Sequence, residues 1–212
     1  MVGKLIVIEG IDGSGKSTQL DLLKAKLGQA GELFRYQRFP RYDDPSSILV
    51  RMYLGGEFGN DPCATNPYTA SAYFAVDRAA AFAGELGSFY RSGGTVLCDR
   101  YTTSNAIYQA VKMKADEREE FAQWLFDFEY NRMGLPRPDA VIFLDVPEEI
   151  TLRLRTERGN APDIHEADQV FLHNSAETAR FMANKYGWKR IECTLNGKLR
   201  TPEDISEEIF YI

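Results

Sequence analysis

The residues best suited to chemistry are concentrated in a glycine-rich turn near the start of the chain. Glycines allow such a turn to aim backbone N–H groups at a phosphate, a lysine can reach the β and γ phosphates, and a hydroxyl can bind Mg²⁺. Four residues match the phosphate-loop spacing G-x-x-x-x-G-K-S/T: Gly10, Gly15, Lys16 and Ser17. The motif predicts that the protein binds a nucleoside triphosphate with Mg²⁺.

The elements beside this turn support the prediction. Leu5–Ile8 is an apolar, β-branched run that predicts a buried strand, and leucines at helical spacing follow from Ser17. The positive end of that helix would face a bound phosphate. A turn that merely joins a strand to a helix is the alternative, which the flanking elements disfavour. The predicted ATP contacts in the loop are Gly10, Asp12, Gly13, Ser14, Gly15, Lys16, Ser17 and Thr18.

A second candidate anion site follows the next predicted strand, Glu32–Tyr36. The loop after it contains Arg38 and Arg41 together with two aromatic residues, Phe39 and Tyr42. Arginine is the side chain best suited to forked contact with phosphate. A solvated loop with Phe39 in the core is an equally open interpretation.

Phe74 and Arg78 form a candidate base-binding pair. They are four residues apart in a helix predicted from Pro67 to about Tyr90, so they share one face. A ring beside a guanidinium could stack on a planar base and hydrogen-bond its edge. A core phenylalanine with a surface arginine is the alternative, favoured if the pair is considered alone.

Asp99 and Arg100 follow a predicted buried strand, Thr95–Cys98. Ligands of open parallel α/β sheets bind beyond the carboxyl ends of the strands, so this pair is well placed for Mg²⁺-linked and phosphate contacts. A helix cap is the alternative for Asp99. In the helix that follows, Asn105 and Tyr108 share a face.

An arginine-rich segment precedes a break in the chain. Arg153, Arg155 and Arg158 lead into a polar Gly159–Pro162 stretch, a pattern that predicts a lid over a polyphosphate, with a solvated basic face as the alternative. His165 lies where the next helix is predicted to open, and we expect it to be solvated or to cap that helix.

Strands alternate with helices along the chain, which predicts an α/β fold with a parallel sheet covered on both faces. We expect a single domain over residues 1–212 with a lid at about residues 155–166. The predicted strands are Leu5–Ile8, Glu32–Tyr36, Thr95–Cys98, Ala140–Asp145 and Trp188–Thr194. The predicted helices begin near Ser17 and Val146 or span Ile48–Leu54, Pro67–Tyr90, Asp116–Arg132, Asp163–Tyr186 and Pro202–Ile209.

Composition narrows the functional classes. The net charge of −6 provides no basic field for a nucleic-acid polymer. Three widely spaced cysteines form no zinc pattern and predict reduced thiols in a cytoplasmic protein. The sequence shows neither a signal peptide nor a long apolar span, so we expect no membrane association.

The motifs in their order resemble the thymidylate kinase family over nearly the whole chain. They are the phosphate loop, Phe39-Pro40-Arg41, Phe74 with Arg78, Asp99-Arg100-Tyr101 and the arginine-rich segment. The resemblance implies transfer of the γ-phosphoryl group of ATP to dTMP, giving dTDP, on a P-loop sheet of five parallel strands. It also implies a homodimer formed through helices.

The resemblance further implies roles for individual residues. Asp12 would lie near the sugar 3′-hydroxyl or a metal, and Tyr108 would crowd the 2′ carbon and so disfavour ribose. Glu9, Asp99 and Ser17 would lie near Mg²⁺ and its waters. The implied dTMP contacts are Asp12, Phe39, Pro40, Arg41, Phe74, Arg78, Arg100, Ser104, Asn105 and Tyr108.

One departure from the family pattern concerns the catalytic arginine. Some members place it in the phosphate loop directly after the acid, where this chain has Gly13. The cationic role then falls on Arg153, Arg155 or Arg158 of the lid, of which Arg158 is favoured, and Arg155 is also a predicted ATP contact. Lys16, Arg100 and Asp12 complete the predicted catalytic set.

Two other functions remain open from the sequence. One is a kinase for another nucleoside monophosphate or for a deoxynucleoside, the latter with Glu9 or Asp99 as a base. The other is a P-loop regulatory switch that hydrolyses its nucleotide slowly. A switch needs no second anion site, so the arginines at 41, 78 and 100 count against it.

Overall fold

A computed structural model of the chain describes residues 2–158 and 163–212, with Arg158 described for its backbone alone. Its sheet has five parallel strands in the order β2-β3-β1-β4-β5. The α/β class with five parallel strands is therefore confirmed. The strands are β1 Leu5–Gly10, β2 Phe34–Arg38, β3 Thr95–Asp99, β4 Ala140–Asp145 and β5 Lys189–Glu192.

Helices connect these strands, and none in the described ranges is both long and apolar enough to cross a membrane. They are α1 Lys16–Gln29, α2 Ile48–Leu54, α3 Pro67–Ala83, α4 Glu85–Arg91, α5 Thr102–Tyr108, α6 Arg118–Phe126, α7 Glu148–Arg158, α8 Gln169–Tyr186 and α9 Pro202–Phe210. A π-helical stretch, Asp127–Arg132, extends α6, and a short antiparallel ribbon pairs β6 Thr194–Leu195 with β7 Lys198–Leu199.

The sheet is covered on both faces, as the alternation of strands and helices predicts. Successive strand residues point to opposite faces. Val7 accordingly packs in a cluster with Phe82 of α3, while Ile8 packs in another with Leu20 of α1 and Ile205 of α9. Burial of these apolar side chains is the main stabilisation of the three layers.

The register of the central strands sets the position of the functional edge. Ile8 of β1 pairs with Asp99 of β3, so the two strands end side by side. The glycine-rich loop and Arg100 therefore emerge from the same carboxyl edge of the sheet. This edge is where open parallel α/β sheets bind ligands.

Several element boundaries differ from the sequence prediction. The helix expected to run from Pro67 to Tyr90 is broken at Gly84, whose ψ of −146° is not helical. A Cβ on Gly87 would lie 1.8 Å from the Phe82 carbonyl oxygen, so the two halves pack too closely for one continuous helix. The helix expected to open at Asp163 begins at Gln169 instead, and a turn precedes it.

Candidate active site

The glycine-rich loop is shaped to surround an anion. Gly13 and Gly15 have φ values of +85° and +82°, which residues with a Cβ rarely adopt. The N-terminus of α1 has no side-chain cap, so its backbone N–H groups are available to a ligand. Gly10 lies beneath the loop, where a Cβ would lie 2.3 Å from the Ser14 hydroxyl.

Lys16 is held against the loop by two backbone carbonyl groups. Its Nζ donates to the carbonyl oxygens of Gly10 at 2.8 Å and Ile11 at 3.1 Å. Burial and the charge of Arg100 lower the pKa of Lys16 to about 8, although Asp12 opposes the shift. Carbonyl contacts are weak partners for an ammonium compared with phosphate, so Lys16 can exchange them for a bound polyphosphate.

Arg100 and Asp12 form the charged centre of the site. Arg100 has φ of +67°, a strained conformation for a residue with a side chain, and its Nη2 donates to Asp12 Oδ1 at 2.6 Å. Tyr108 donates its hydroxyl to Asp12 Oδ2 at 3.0 Å. Burial alone would raise the pKa of Asp12, but Arg100 and Lys16 outweigh it and hold that pKa well below its usual value.

Glu9 supports this centre from below and has no exposed surface. Its Oε1 accepts hydrogen bonds from the Tyr101 backbone N, the Thr103 hydroxyl and the Ser104 hydroxyl. The carboxylate is thus engaged with the start of α5. The metal contact predicted for Glu9 receives no support from this geometry, because its oxygens already serve protein donors.

Two cavities open at this edge of the sheet. The loop cavity, of about 350 Å³, is walled by residues 12–19 together with Leu154, Cys193 and residues of β7 and α9. The aromatic cavity, of about 320 Å³, is walled by Phe39, Tyr42, Phe74, Tyr108, His165 and several polar side chains. Asp12, Arg38 and Arg100 line both cavities, so positive charge lies where the two meet.

The aromatic cavity also contains two amide side chains. Asn105 lies in its wall and donates from Nδ2 to the Ser71 carbonyl at 3.2 Å. Gln109 is fully buried, and neither polar atom of its amide has a well-formed hydrogen bond to another described residue. The amide nevertheless lies close enough to the Tyr53 hydroxyl to offset part of the rise in the Tyr53 pKa that burial causes. A buried, unpaired amide is costly in a protein interior and is typical of a ligand contact. The sequence analysis did not select Gln109, although it stands four residues after Asn105.

Two residues predicted to contact dTMP lie outside the cavity walls. Arg41 bonds Asp77 through Nε at 3.0 Å and also contacts Ser46 and Asp44. Arg78 forms a buried, bidentate pair with Glu129. Both guanidinium groups are held by protein carboxylates, so the dTMP contacts predicted for them receive no support from this geometry and stay predictions. Arg38, the last residue of β2, lines both cavities instead.

The remaining predicted contacts are distributed as follows. Phe39, Pro40, Phe74, Ser104, Asn105 and Tyr108 line the aromatic cavity, and Ser17, Thr18 and Asp99 line the loop cavity. The Ser104 hydroxyl also accepts from Arg100 Nη1 at 3.2 Å. The structure therefore gathers most of the predicted site at one edge of the sheet.

The arginines of α7 differ in exposure. The Arg153 side chain is 61% exposed and lies 4.0 Å from Glu157. Arg155 packs against the loop, with its Cγ 2.9 Å from the place of a Cβ on Gly13, and its buried Nε has no hydrogen-bond partner within residues 2–158 and 163–212. The Arg158 side chain and residues 159–162 of the predicted lid lie outside the described part of the chain.

Asp99 and Ser17 supply the oxygens suited to a divalent cation. Asp99 Oδ1 is buried and has no hydrogen-bond partner in the described part of the chain, and its other oxygen lies 3.7 Å from Arg38 Nε. Ser17 is exposed at the start of α1. Among the described residues, no group of three or more His, Cys, Asp or Glu side chains could hold a metal. Few protein ligands are needed for Mg²⁺, which takes most of its oxygens from phosphate and water.

His165 differs from its predicted place. It is buried in the wall of the aromatic cavity rather than solvated, because its ring packs against both Tyr108 and Phe171, which also contact each other. Its own turn is capped by Asp163, whose Oδ1 accepts from the backbone N of His165 and of Glu166.

Comparisons with known proteins agree with this geometry. The family profile described as thymidylate kinase matches residues 8–205. A thymidylate kinase of Mycobacterium tuberculosis is 35% identical over 190 residues, which cover 87% of each chain. One of Thermomicrobium roseum is 30% identical over 210 residues, covering 97% of this chain and 91% of the relative. The solved structure of a Candida albicans thymidylate kinase is 22% identical and superposes on this chain with a TM-score of 0.74. The superposition covers 99% of this chain and 90% of the Candida albicans chain, which supports the fold.

Proposed function

The chain belongs to the thymidylate kinase family and phosphorylates dTMP to dTDP with ATP as donor, and we propose that the loop cavity holds ATP and the aromatic cavity holds dTMP. The observation that carries this assignment is the wall shared by the two cavities. Asp12, Arg38 and Arg100 border both, so the transferring phosphoryl group and its acceptor would meet beside two arginines.

The charges at this meeting point suit phosphoryl transfer. The acceptor is a phosphate monoester with a second pKa of about 6, so it is largely ionised near pH 7 and needs no strong base. The enzyme must instead hold two anions in line against their repulsion. Lys16, Arg38 and Arg100 supply compensating charge, and Asp12 orients Arg100 through its 2.6 Å contact.

We assign recognition of thymine to the aromatic cavity. Phe74 offers a ring face for stacking, and Asn105 and Gln109 offer amides that complement the imide edge of the base. Tyr108 is held against Asp12 and narrows the cavity on the sugar side. The base contact first expected of Arg78 passes to the two amides in this proposal.

The donor site would use Mg²⁺ as the divalent cation. Asp99 and Ser17 are the residues that would hold it, since both line the loop cavity with hard oxygens and Asp99 Oδ1 has no hydrogen-bond partner among the described residues. Bound Mg²⁺ would supply charge neutralisation for the β and γ phosphates. Arg155 would contact the donor beside Gly13, and the transition-state charge would be stabilised by Arg158, as the family resemblance implies.

The three cysteines are free thiols, which fits a reducing compartment, and we propose a cytoplasmic enzyme. We also propose that it acts as a homodimer, an assignment supported by the family resemblance alone. Sedimentation velocity at micromolar concentration tests this assignment, and a purely monomeric distribution would reject it.

The acceptor is tested by ADP release from Mg·ATP in the presence of single candidate acceptors. We expect dTMP to stimulate release strongly, and thymidine and purine monophosphates to leave it near the background rate. Stimulation by thymidine instead of dTMP would favour a deoxynucleoside kinase. No stimulation by any acceptor would favour a regulatory switch. A parallel series with dUMP measures the contribution of the 5-methyl group.

A further inference from the structure

The His165 ring occupies a fixed place in the aromatic cavity that the proposed chemistry does not use. It is 6% exposed, and it lies parallel to the Tyr108 ring within 3°, with the ring centroids 5.4 Å apart. Phe171 packs on it at 4.8 Å. The preceding residue, Ile164, donates its backbone N to the Leu54 carbonyl and so anchors the turn to α2.

The hydrogen bonds behind His165 determine which ring nitrogen carries a proton. Lys112 Nζ lies 2.8 Å from the Tyr53 hydroxyl oxygen, and an ammonium can only donate. Tyr53 then has a single hydrogen, and its oxygen lies 2.7 Å from His165 Nε2 but 3.5 Å from the Pro62 carbonyl. The shorter contact takes the hydrogen, so Nε2 accepts it.

A neutral ring with an accepting Nε2 carries its own hydrogen on Nδ1. Burial and the charge of Lys112 lower the pKa of His165 to about 3, which keeps the ring neutral at physiological pH. Among residues 2–158 and 163–212, the structure gives Nδ1 no hydrogen-bond partner. The side chain therefore presents one N–H donor that the protein leaves unused.

Asp12, an acceptor, lines the same cavity beside Tyr108 and His165. Asp12 accepts from the Tyr108 hydroxyl, and its carboxylate has capacity for further donors. A ligand group between His165 and Asp12 must accept from one and donate to the other, which a hydroxyl does. In dTMP the phosphate oxygens only accept and the imide edge belongs with the amides, so the single sugar hydroxyl, at the 3′ position, is the group that fits.

We propose that His165 donates a hydrogen bond from Nδ1 to the 3′-hydroxyl oxygen of bound dTMP, while Asp12 accepts from the same hydroxyl and Lys112 with Tyr53 fixes the histidine tautomer. This inference rests on the assignment of the aromatic cavity to dTMP. It makes His165 a substrate-binding residue that selects for the 3′-hydroxyl.

Substrate selectivity is the first test. The kcat/KM for dTMP is compared with that for 2′,3′-dideoxythymidine 5′-monophosphate in the wild type, His165→Gln and His165→Asn. A glutamine amide reaches toward Tyr53 as Nε2 does, whereas an asparagine amide presents nitrogen near the position of Nδ1. We expect the preference for dTMP to fall about threefold to tenfold in His165→Gln, the effect of one neutral hydrogen bond, and to be largely retained in His165→Asn.

The tautomer is the second test and needs no change at His165. In ¹⁵N-histidine-labelled protein, two-bond ¹H–¹⁵N correlations should show the Nδ1–H form, and Tyr53→Phe should raise the Nε2–H population. The chain has two histidines, so His173→Gln assigns the signals. An Nε2–H ring in the wild type, or equal selectivity in the Gln and Asn variants, would overturn the proposal while leaving dTMP turnover intact. If the wild type did not phosphorylate dTMP, the assignment of the aromatic cavity to dTMP, on which this proposal rests, would itself be wrong.

Discussion

The carbonyl oxygen of Thr151 occupies the space that a side chain on Gly13 would enter. A Cβ on Gly13 would lie 2.4 Å from that oxygen, and the Arg155 side chain closes the space beside it. Helix α7 thus packs directly on the phosphate loop. This chain presents Arg155 from α7 beside Gly13.

Gly13→Ala should therefore damage both stability and ATP use. Gly31 provides a matched control, since its φ of +73° carries similar strain but a Cβ there would meet no atom of the described residues within 4 Å. Gly31→Ala should cost about 1 kcal/mol in the free energy of unfolding with normal kinetics. Gly13→Ala should cost more and lower kcat/KM for ATP by roughly 10²-fold, because the loop must move. Equal urea-unfolding and kinetic results for the two variants would contradict this packing argument.

Loss of the proton from Lys16 should lower the affinity for ATP above about pH 8. Its pKa is lowered to that value chiefly by burial, so the free enzyme loses this positive charge well below the usual range for lysine. A neutral amine attracts phosphate less, and kcat/KM for ATP, which reports the free enzyme, should decrease as pH rises. Lys112 titrates in the same range, so Lys112→Arg is the control and should keep the decrease. If kcat/KM for ATP no longer decreased with rising pH in Lys112→Arg, the titrating group would be Lys112 rather than Lys16.

The arginines of α7 can be separated by kinetics. Arg158→Ala should lower kcat by roughly 10³-fold or more with little change in KM for dTMP, because its proposed contact exists mainly in the transition state. Arg155→Ala should mainly raise KM for ATP. The exposed Arg153 is the control, and Arg153→Ala should match the wild type. A large loss of kcat in the Arg153 variant would move the catalytic role to that residue.

The sequence predicted those parts of the protein that depend on local pattern. Apolar runs and helical spacing identified every strand of the main sheet, and the carboxyl ends of β1 and β3 brought Lys16 and Arg100 to one edge. The features that the sequence could not predict depend on contacts between residues that are far apart in the chain. Arg38 and Arg41 are three residues apart in the sequence. Only the hydrogen bond between Arg41 and Asp77, 36 residues further along the chain, shows which of the two arginines lies outside the cavity walls.

His165 illustrates the same limit. A lone histidine after a polar loop gives no local sign of burial, and its aromatic neighbour Tyr108 and hydrogen-bond partner Tyr53 are far away in the sequence. Gln109 carried a local signal through its spacing from Asn105, but only its burial without a partner distinguishes it from a surface amide. Physical burial was the missing information in both cases.

The buried pair of Arg78 and Glu129 should be structural. Glu129 is fully buried and also accepts from the Thr102 hydroxyl, so Glu129→Gln leaves a buried guanidinium without its counter-ion. We expect a loss of about 3–5 kcal/mol in the free energy of unfolding. Arg78→Met combined with Glu129→Met should recover much of that loss. If Arg78→Met instead raised KM for dTMP at unchanged stability, the base contact first expected of Arg78 would be reinstated.

His165 and Asp163 should affect acid stability with opposite signs. Burial lowers the pKa of His165 to about 3 and raises that of Asp163 to about 6. Between about pH 4 and 6, the unfolded chain therefore binds the extra proton at His165, and the folded chain binds it at Asp163. The two contributions nearly cancel in the wild type. Each single variant should expose the contribution of the other residue.

Urea unfolding at pH 4, 5 and 6 measures this balance. Relative to the wild type, His165→Phe should gain stability as pH falls, because folding of this variant no longer requires a neutral histidine ring. Asp163→Asn should lose stability relative to the wild type as pH falls. Each slope can approach 1.4 kcal/mol per pH unit, the value for one proton. His173 is exposed and serves as the control, so His173→Gln should not reproduce the gain. Parallel profiles for His165→Phe and the wild type would show that the His165 ring does not have the lowered pKa on which its neutral form depends.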